Sequence, residues 1–407
     1  MIYDYIIIGG GISGLYSAHI LQSKYKVLLL EQNDYLGGRI KQEMFHQTKI
    51  SMGAGIIHKS DKHIFNLIKK FKIKYNIVKS SRTLIEPSKS SKSSKSSYDH
   101  SKGIELVRKK YLELKSKLNF ELISLSFTEF LDKYFGKIFR KNYLDHSGYT
   151  DYEDGDINYH VKYYTLKADS LGSSLKVFFD WDKLIMNIKK GLNYKLNTFV
   201  TNVAINQNTQ LCEISTSKKL YVSRRIIFAL PIKPLITLTR NLPLNISYDD
   251  YIQNANLLRI YTFHKDGHKF EGENIGGFNI VPGKNLLRKI IVINDKILMS
   301  AYCDMQYALN LKKYLDNKKN LKEIIFDELQ KIVPTTTQID DIVYHYWDTG
   351  VHCFKPLHTF KIQSLVKSLQ NPIPNVFVVG ELLSYQQGWT NGAVDSVEKI
   401  RTKLFTL

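Results

Sequence analysis

Two rhythms of apolar residues run along this chain. Short continuous runs that end on a glycine, a proline or an acid read as buried strands, at residues 4–8, 26–30, 224–231 and 376–380. Strands separated by polar turns are expected at 197–206, 211–216 and 219–222, and longer ones at 257–264 and 288–302. Apolar residues three and four apart, with lysines opposite, mark helices at 104–118, 127–139 and 321–332. Residues 15–23 read as another helix, 172–190 carry the spacing in Leu184, Ile185 and Ile188, and a last helix is expected from near Asn391 to Leu404. Strand, helix and strand at the start, with a strand-rich middle, predict an α/β protein. The Ser/Lys-rich run at 86–102 cannot bury apolar surface and is expected to be a disordered surface loop.

The first strand joins its helix through Gly9-Gly10-Gly11-Ile12-Ser13-Gly14, a Gly9-x-Gly11-x-x-Gly14 pattern, and Glu31 closes the second strand 20 residues after Gly11. Gly9 permits the tight turn, Gly11 lets the backbone approach a pyrophosphate, and Gly14 lets helix and strand pack closely. The helix start, with Ser13 in its first turn, offers unpaired amides and a positive dipole end to phosphate. Glu31 is placed to accept from ribose hydroxyls. Gly276, Gly277 and Gly283 form no second copy of the pattern. Enzymes that hold both a flavin and a nicotinamide usually carry two, so one tightly held cofactor, FAD, is favoured over NAD. A plain NAD dehydrogenase is the alternative on this motif alone.

At 407 residues, with 43% hydrophobic and 24% charged positions, the chain can form two substantial lobes. No run nears the roughly 18 apolar residues of a membrane span. Met1 leads almost directly into the first strand, so neither a signal peptide nor a membrane tail is expected and the chain reads as cytoplasmic. Cys212, Cys303 and Cys353 are far apart and odd in number, which suits a reducing compartment and no metal site. The net charge of +20 could attract nucleic acid, but the basic residues are spread rather than clustered, so that partner is not favoured.

Four further segments extend the pattern: Leu36-Gly37-Gly38-Arg39; Ser51-Met52-Gly53-Ala54-Gly55; Val200-Thr201-Asn202-Val203 with the run 226–231; and Val378-Val379-Gly380-Glu381-Leu382-Leu383-Ser384 followed by Gly388-Trp389-Thr390-Asn391-Gly392-Ala393. Together they resemble the flavin-containing amine oxidases, the family of monoamine oxidases, polyamine oxidases and flavin-dependent histone demethylases. The resemblance implies that Gly38 and Arg39 reach the flavin pyrophosphate and ribityl region. It implies that Gly53 and Ala54 lie beneath the isoalloxazine, with Ser51 where an acid is common. The strand bearing Val203 would contact the adenine. Beyond Gly380, Glu381 would accept a ribityl hydroxyl. The Thr390 amide would meet the flavin O2 edge at the positive end of the last helix. Residues 82–170 match nothing in the family.

The resemblance also implies the chemistry: a hydride equivalent passes from the carbon beside an amine nitrogen to flavin N5, and dioxygen reoxidises the flavin. Trp389 and Phe354 would form the aromatic walls around the amine. Cys353 falls where monoamine oxidases carry a flavin-linked thiol, and is read here as a buried free thiol. Arg259 falls where the family places a lysine that holds water next to N5, with Lys265 as a competitor. Arginine keeps its charge and cannot accept a proton. Arg259 could position water, attract an acidic substrate group, favour a reduced anionic flavin, or be a plain strand residue. His352 and Lys355 are further pocket candidates.

The expected architecture is a discontinuous Rossmann-type FAD-binding domain (residues 1–80, 191–240 and 375–407) and a mixed α+β substrate-binding domain (81–190 and 241–374). The expected activity is FAD-dependent oxidation of a small-molecule amine, a polyamine or another small amine, with O2 as acceptor. The alternatives are a flavin desaturase or oxidase of carbon–carbon bonds, or a catalytically weakened basic flavoprotein acting as a binding module.

Overall fold

The structure, a computed structural model, describes residues 1–79, 81–85, 98–117, 124–161, 175–272, 277–283, 285–357 and 362–406. The chain opens with β1 (Ile2–Ile8), α1 (Ile12–Leu21) and β2 (Val27–Leu30). Next come the hairpin β3 (Gln42–Phe45) and β4 (Thr48–Ser51), then β5 (Ile57–His58), α2 (Lys62–Lys70), β6 (Tyr75–Lys79) and β7 (Arg82–Leu84). A helical stretch holds α3 (His100–Lys117), α4 (Phe127–Phe135), α5 (Lys137–Ser147) and the single turn α6 (Ile157–His160). It leads into β8 (Leu175–Phe179), α7 (Trp181–Ile188), β9 (Tyr194–Lys195), β10 (Val200–Ile205), β11 (Cys212–Thr216), β12 (Leu220–Phe228) and α8 (Ile232–Thr239). The remainder is β13 (Ile252–Phe263), β14 (Phe278–Ile280), β15 (Lys289–Asn294), β16 (Ile297–Asp304), α9 (Met305–Lys312), α10 (Lys318–Gln330), β17 (Asp341–Phe354), α11 (Ile362–Gln370), β18 (Val376–Val378) and α12 (Thr390–Phe405).

The first sheet runs β10-β11-β12-β1-β2-β9, with β18 also paired to β12. Its centre is parallel: Ile6, Ile7 and Ile8 lie beside Ile226, Ile227 and Phe228 on one side and Leu28, Leu29 and Leu30 on the other. Parallel strands are buried on both faces, which explains their unbroken apolar runs. Ile7, Leu29 and Ile227 pack against Leu15 of α1, Ile188 of α7 and Val397 of α12. Ile6, Leu28 and Phe228 face the other way, onto Leu235 of α8 and Leu369 of α11.

The second sheet runs β17-β13-β16-β15-β14-β7 and is mainly antiparallel. Alternation along β13 gives it two faces. Leu258 and Ile260 join Leu311 of α9 and Leu321 and Ile325 of α10 in one core. Tyr261, with Met299 of β16, packs on Phe45, Ile50 and Met52 of the β3–β4 region. That contact brings a segment from the start of the chain onto the second sheet.

Several sequence expectations change. The helix expected at 127–139 is two helices, because Gly136 takes a φ of 84° that ends α4 and starts α5. The stretch 172–190 is β8 and then α7, where the Asp180 carboxylate accepts from the Asp182 and Lys183 amides and caps the helix. Strands expected at 219–222 and 224–231 form the single strand β12, which ends before Pro231 caps α8. Residues 288–302 fold back at Asn294, whose side chain accepts from the Lys296 and Ile297 amides. The division expected at residue 190 shifts too. β8 pairs with β5 and β6, and Leu184 and Ile188 share a core with α1, so 175–190 pack with the amino-terminal segments. Of the Ser/Lys-rich stretch, residues 86–97 lie outside the described residues, and 100–102 already belong to α3.

Among the described residues no helix is long and apolar enough to cross a membrane. Ile227, fully buried at the middle of the first sheet, sets the scale for its core. Ile227→Ala should lower unfolding free energy by about 2–5 kcal/mol in urea titrations. The same change at Ile138, 81% exposed, should stay within about 0.5 kcal/mol.

Candidate functional site

The glycine pattern forms a tight corner. The amide of Gly9 donates to the Leu30 carbonyl at 2.8 Å, and a Cβ on Gly14 would sit 2.0 Å from the Gly9 carbonyl, so any side chain there would force α1 off β1. A Cβ on Gly11 would meet nothing within 4 Å, so the backbone there borders open space. Gly11 is the N-cap of α1 and supplies no side-chain cap, so the first amides of that helix remain available to an outside acceptor. Gly38 lies against this corner: a Cβ on it would stand only 3.1 Å from the Gly11 Cα, and the neighbouring Gly37 amide donates to the Gly10 carbonyl at 2.9 Å. Ser13 approaches Gly380 from the other side, its hydroxyl 4.0 Å from where a Gly380 Cβ would stand.

Glu31 is buried at the end of β2. Its carboxylate accepts from the Gly10 amide at 2.6 Å and from the Asn33 amide and side chain at 2.9 and 2.8 Å. A carboxylate has about four lone-pair sites, so acceptor capacity remains for a hydroxyl. The same acid therefore shapes the glycine turn. Val203 is fully buried in the sheet core with Ile6 and Phe228, opposite Ile214 of β11.

Glu381 joins this corner to the rest of the molecule. Its Oε1 accepts from Arg39 at 2.6 Å and from His352 Nδ1 at 2.5 Å, and its Oε2 accepts from the Gly388 amide at 2.8 Å. His352 Nε2 in turn accepts from the Ile232 amide at 3.1 Å, which fixes the proton on Nδ1, facing Glu381. Burial alone would raise the Glu381 pKa. His352 and Arg39, with the Gly388 amide, reverse that and hold it at about 2.

Next to Glu381 a cavity of about 370 Å³ opens between the second sheet, the β3–β5 and β8 segments, and α3 and α5. Ala54, Gly55, Gly388, Trp389 and Thr390 line one end, and Arg259, Tyr261 and Tyr302 line its sheet wall. Gly53 holds the Ala54 loop down, since a Cβ there would meet the Arg39 carbonyl at 1.9 Å. Trp389 caps α12 without a side-chain hydrogen bond, and its ring lies 4.4 Å from that of His58. The buried Thr390 hydroxyl has no partner among the described residues. Arg259 donates to the Ser51 carbonyl at 2.8 Å, and Tyr261 donates to the same oxygen at 2.6 Å. Lys289 lies behind this wall, its ammonium 3.1 Å from the Tyr149 ring centre and 4.0 Å from that of Tyr302. Burial lowers the Lys289 pKa to about 7, against the pull of Asp304 and Asp151. Burial likewise keeps His100 and His160, on the helical side, neutral, with pKa values of about 2 and about 3.

Arg259, Trp389, Ala54 and Thr390 thus share one cavity, and Gly9, Gly11, Ser13, Gly14, Glu31, Gly38, Arg39, Gly380 and Glu381 form the adjoining corner. Phe354 is a correction. It is fully buried, edge-on to Tyr159 at 5.3 Å, and does not line the cavity. Alternation along β17 explains this: Phe354 shares the face of His352, whereas Val351 takes the cavity side. Cys353 also lies off the cavity, bonded by Gln253 at 3.2 Å, and burial pushes its thiol up to about 12. Neither Lys265, whose backbone amide donates to Asp340, nor Lys355, whose ammonium donates to the Asp249 carbonyl, lines the cavity, and Arg259 is the basic residue of β13 that does. The sequence reading missed Tyr302 and Tyr261. Tyr261 is two residues from Arg259 on one strand, and Tyr302 is its cross-strand partner, a relation visible only once the strands are paired.

A family model described as an NAD(P)-binding Rossmann-like domain matches residues 7–71. Over 54 residues the chain is 46% identical to polyamine oxidase 5 of Oryza sativa subsp. japonica, covering 13% of this chain and 11% of that protein. Over 121 residues it is 26% identical to an uncharacterized protein of Acanthamoeba polyphaga mimivirus, covering 26% of this chain and 24% of that one. The aligned parts thus reach well under two thirds of either relative. The corner, the parallel sheet and the match define a Rossmann-like dinucleotide-binding domain. The open space over Gly11, the uncapped α1 and the unpartnered Thr390 hydroxyl fit such a ligand.

Because the folded Glu381 pKa lies below its ordinary value of 4.5, its contribution to stability is full above that pH and is lost as pH falls toward about 2. Glu381→Gln should therefore be less stable than wild type by on the order of a few kcal/mol at pH 7. Urea titrations from pH 7 to pH 2.5 should show that gap closing only below pH 4.5.

Proposed function

We propose that this chain is an FAD-dependent oxidoreductase that oxidises a small amine. The observation carrying this reading is that the dinucleotide corner and the cavity meet at one acid, Glu381, which bonds both Arg39 behind the glycine turn and the Gly388 amide beside Trp389. The partial likeness to a polyamine oxidase points the same way. In this reading Gly9, Gly11, Ser13 and Gly14 hold the pyrophosphate, Glu31 the ribose, and Gly38, Arg39, Gly380 and Glu381 the ribityl chain. Gly53, Ala54 and Thr390 bound the flavin ring. Bound FAD would supply the hydride acceptor and pass the electrons on to dioxygen.

The chain's own residues would orient the amine and exclude water. Trp389 offers an aromatic face to the nitrogen. Ile50, Ile291 and Met299 supply apolar walls. Arg259 cannot take up a proton, so the amine has to reach the ring already neutral or release its proton to water in the cavity. The apolar walls would equally suit oxidation of a carbon–carbon bond, which is the second reading.

The purified protein should show a flavin absorption band, and anaerobic addition of one member of an amine panel should bleach it. A band untouched by every amine favours the carbon–carbon reading, and no band in folded protein removes the FAD assignment. Gly14→Val, which pushes a side chain into the Gly9 carbonyl, should reduce the flavin recovered with the protein by about tenfold or more, as expected for a lost pyrophosphate site.

A further inference from the structure

The cavity carries a buried charge with no counterion among the described residues. Arg259 is 8% exposed and lines the wall near Ala54 and Gly55. Its guanidinium donates to the Ser51 carbonyl, stacks 4.6 Å from the Tyr302 ring centre and hydrogen-bonds with the Tyr302 and Tyr261 hydroxyls, none of them a carboxylate. Its buried Nε has no hydrogen-bond partner among the described residues, and no carboxylate among them pairs with it. An arginine held this way keeps its charge while losing much of its hydration, an arrangement that costs several kcal/mol unless an anion answers it.

The other charged side chains lining the cavity are Lys49, Arg82, Asp151 and Asp304. Lys49 is paired with Asp180 and Asp182 at 3.3 and 2.8 Å. Asp304 accepts from the Thr150 amide at 3.1 Å and from its hydroxyl at 2.5 Å, and both Asp304 and Asp151 act on Lys289. The tyrosine next to Arg259 on β13 is neutral: burial, the leading influence, pushes the Tyr261 hydroxyl up to about 12. At the Ala54–Gly55 end of the cavity the charged side chain is Arg259, whose Nη1 lies 3.8 Å from where a Gly55 Cβ would stand.

We infer that the amine oxidised by this protein carries a carboxylate, which the guanidinium of Arg259 grips while the amine nitrogen is turned toward Trp389. This rests on the amine-oxidising reading above and narrows it. Arginine suits the role because its planar fork matches a carboxylate and charge-assisted bonds to it are short and strong. A polycationic amine would bring like charge against Arg259 and gain nothing there. Small amino acids or amino-substituted aryl acids fit both the charge and a cavity of about 370 Å³.

The test compares benzoate, benzyl alcohol and benzylamine as ligands of the purified protein, by calorimetry and by the flavin difference spectrum, in wild type, Arg259→Lys and Arg259→Met. Benzoate should bind at least tenfold more tightly than benzyl alcohol, Arg259→Met should remove that preference, and Arg259→Lys should keep part of it. Equal binding of benzoate and benzyl alcohol, or benzoate binding that ignores the Met variant, overturns the inference. If benzoate ignores the variant while the flavin reduction potential falls, the arginine serves the reduced flavin and the substrate assignment is wrong. Arg259-dependent benzoate binding to protein without a flavin band leaves the anion site standing and removes the FAD reading instead. Should Arg259→Met fail to fold, the Lys variant still decides, since a purely structural arginine would give no preference for the acid over the alcohol.

Discussion

The buried carboxylate of Glu381 is the interaction on which the arrangement depends. Three segments far apart in sequence place a donor on it: Arg39 after the glycine turn, His352 in β17, and the Gly388 amide ahead of α12. Removing any one partner would leave buried polar groups unanswered, and in a low-dielectric setting such losses are larger than the bonds' net worth. The acid therefore fixes the position of β17, and with it the second sheet, relative to the first. Arg39 extends the tie by donating to the Gly350 carbonyl at 2.9 Å.

Strand alternation then distributes the chemistry. On β13, Leu258 and Ile260 look into the core built with α9 and α10, so Arg259 and Tyr261 must look the other way, into the cavity. On β17 the same rule sends His352 and Phe354 toward the first sheet. A one-residue slip in β13 would exchange its two sets and bury the cation among Leu311 and Ile325. The Ser51 carbonyl, shared by Arg259 and Tyr261, pins the β4 end to that register.

The dinucleotide corner was legible in the sequence because its constraints are local. Gly9, Gly14 and Glu31 act on neighbours within one strand–helix–strand unit, and the buried runs at β1, β2 and β12 read directly from composition. The boundaries at Gly136 and Asp180 were missed because single backbone and capping choices decide them against a helical pattern of apolar residues. Phe354 was misplaced because a residue two positions away, His352, claims that face of β17 for Glu381. Tyr302 was invisible for a different reason: its nearness to Arg259 exists only through β13–β16 pairing. Asn391 is similar, since its side chain accepts from the His63 and Ile64 amides at 2.9 and 3.2 Å and so caps α2, a helix more than three hundred residues earlier.

The first sheet also sets an order of events for a chain leaving the ribosome. β12 receives β18 along Ile226, Ile227 and Phe228, and the Tyr5 hydroxyl donates to the Leu404 carbonyl across a separation of 399 residues. Until residues 376–378 are synthesised, that stretch of β12 offers unpaired backbone groups on an apolar strand, a template for mispairing between nascent chains. Contacts of such long sequence separation also slow folding. The glycine-turn unit, though made early, would then wait for β18 and α12 before its sheet could close.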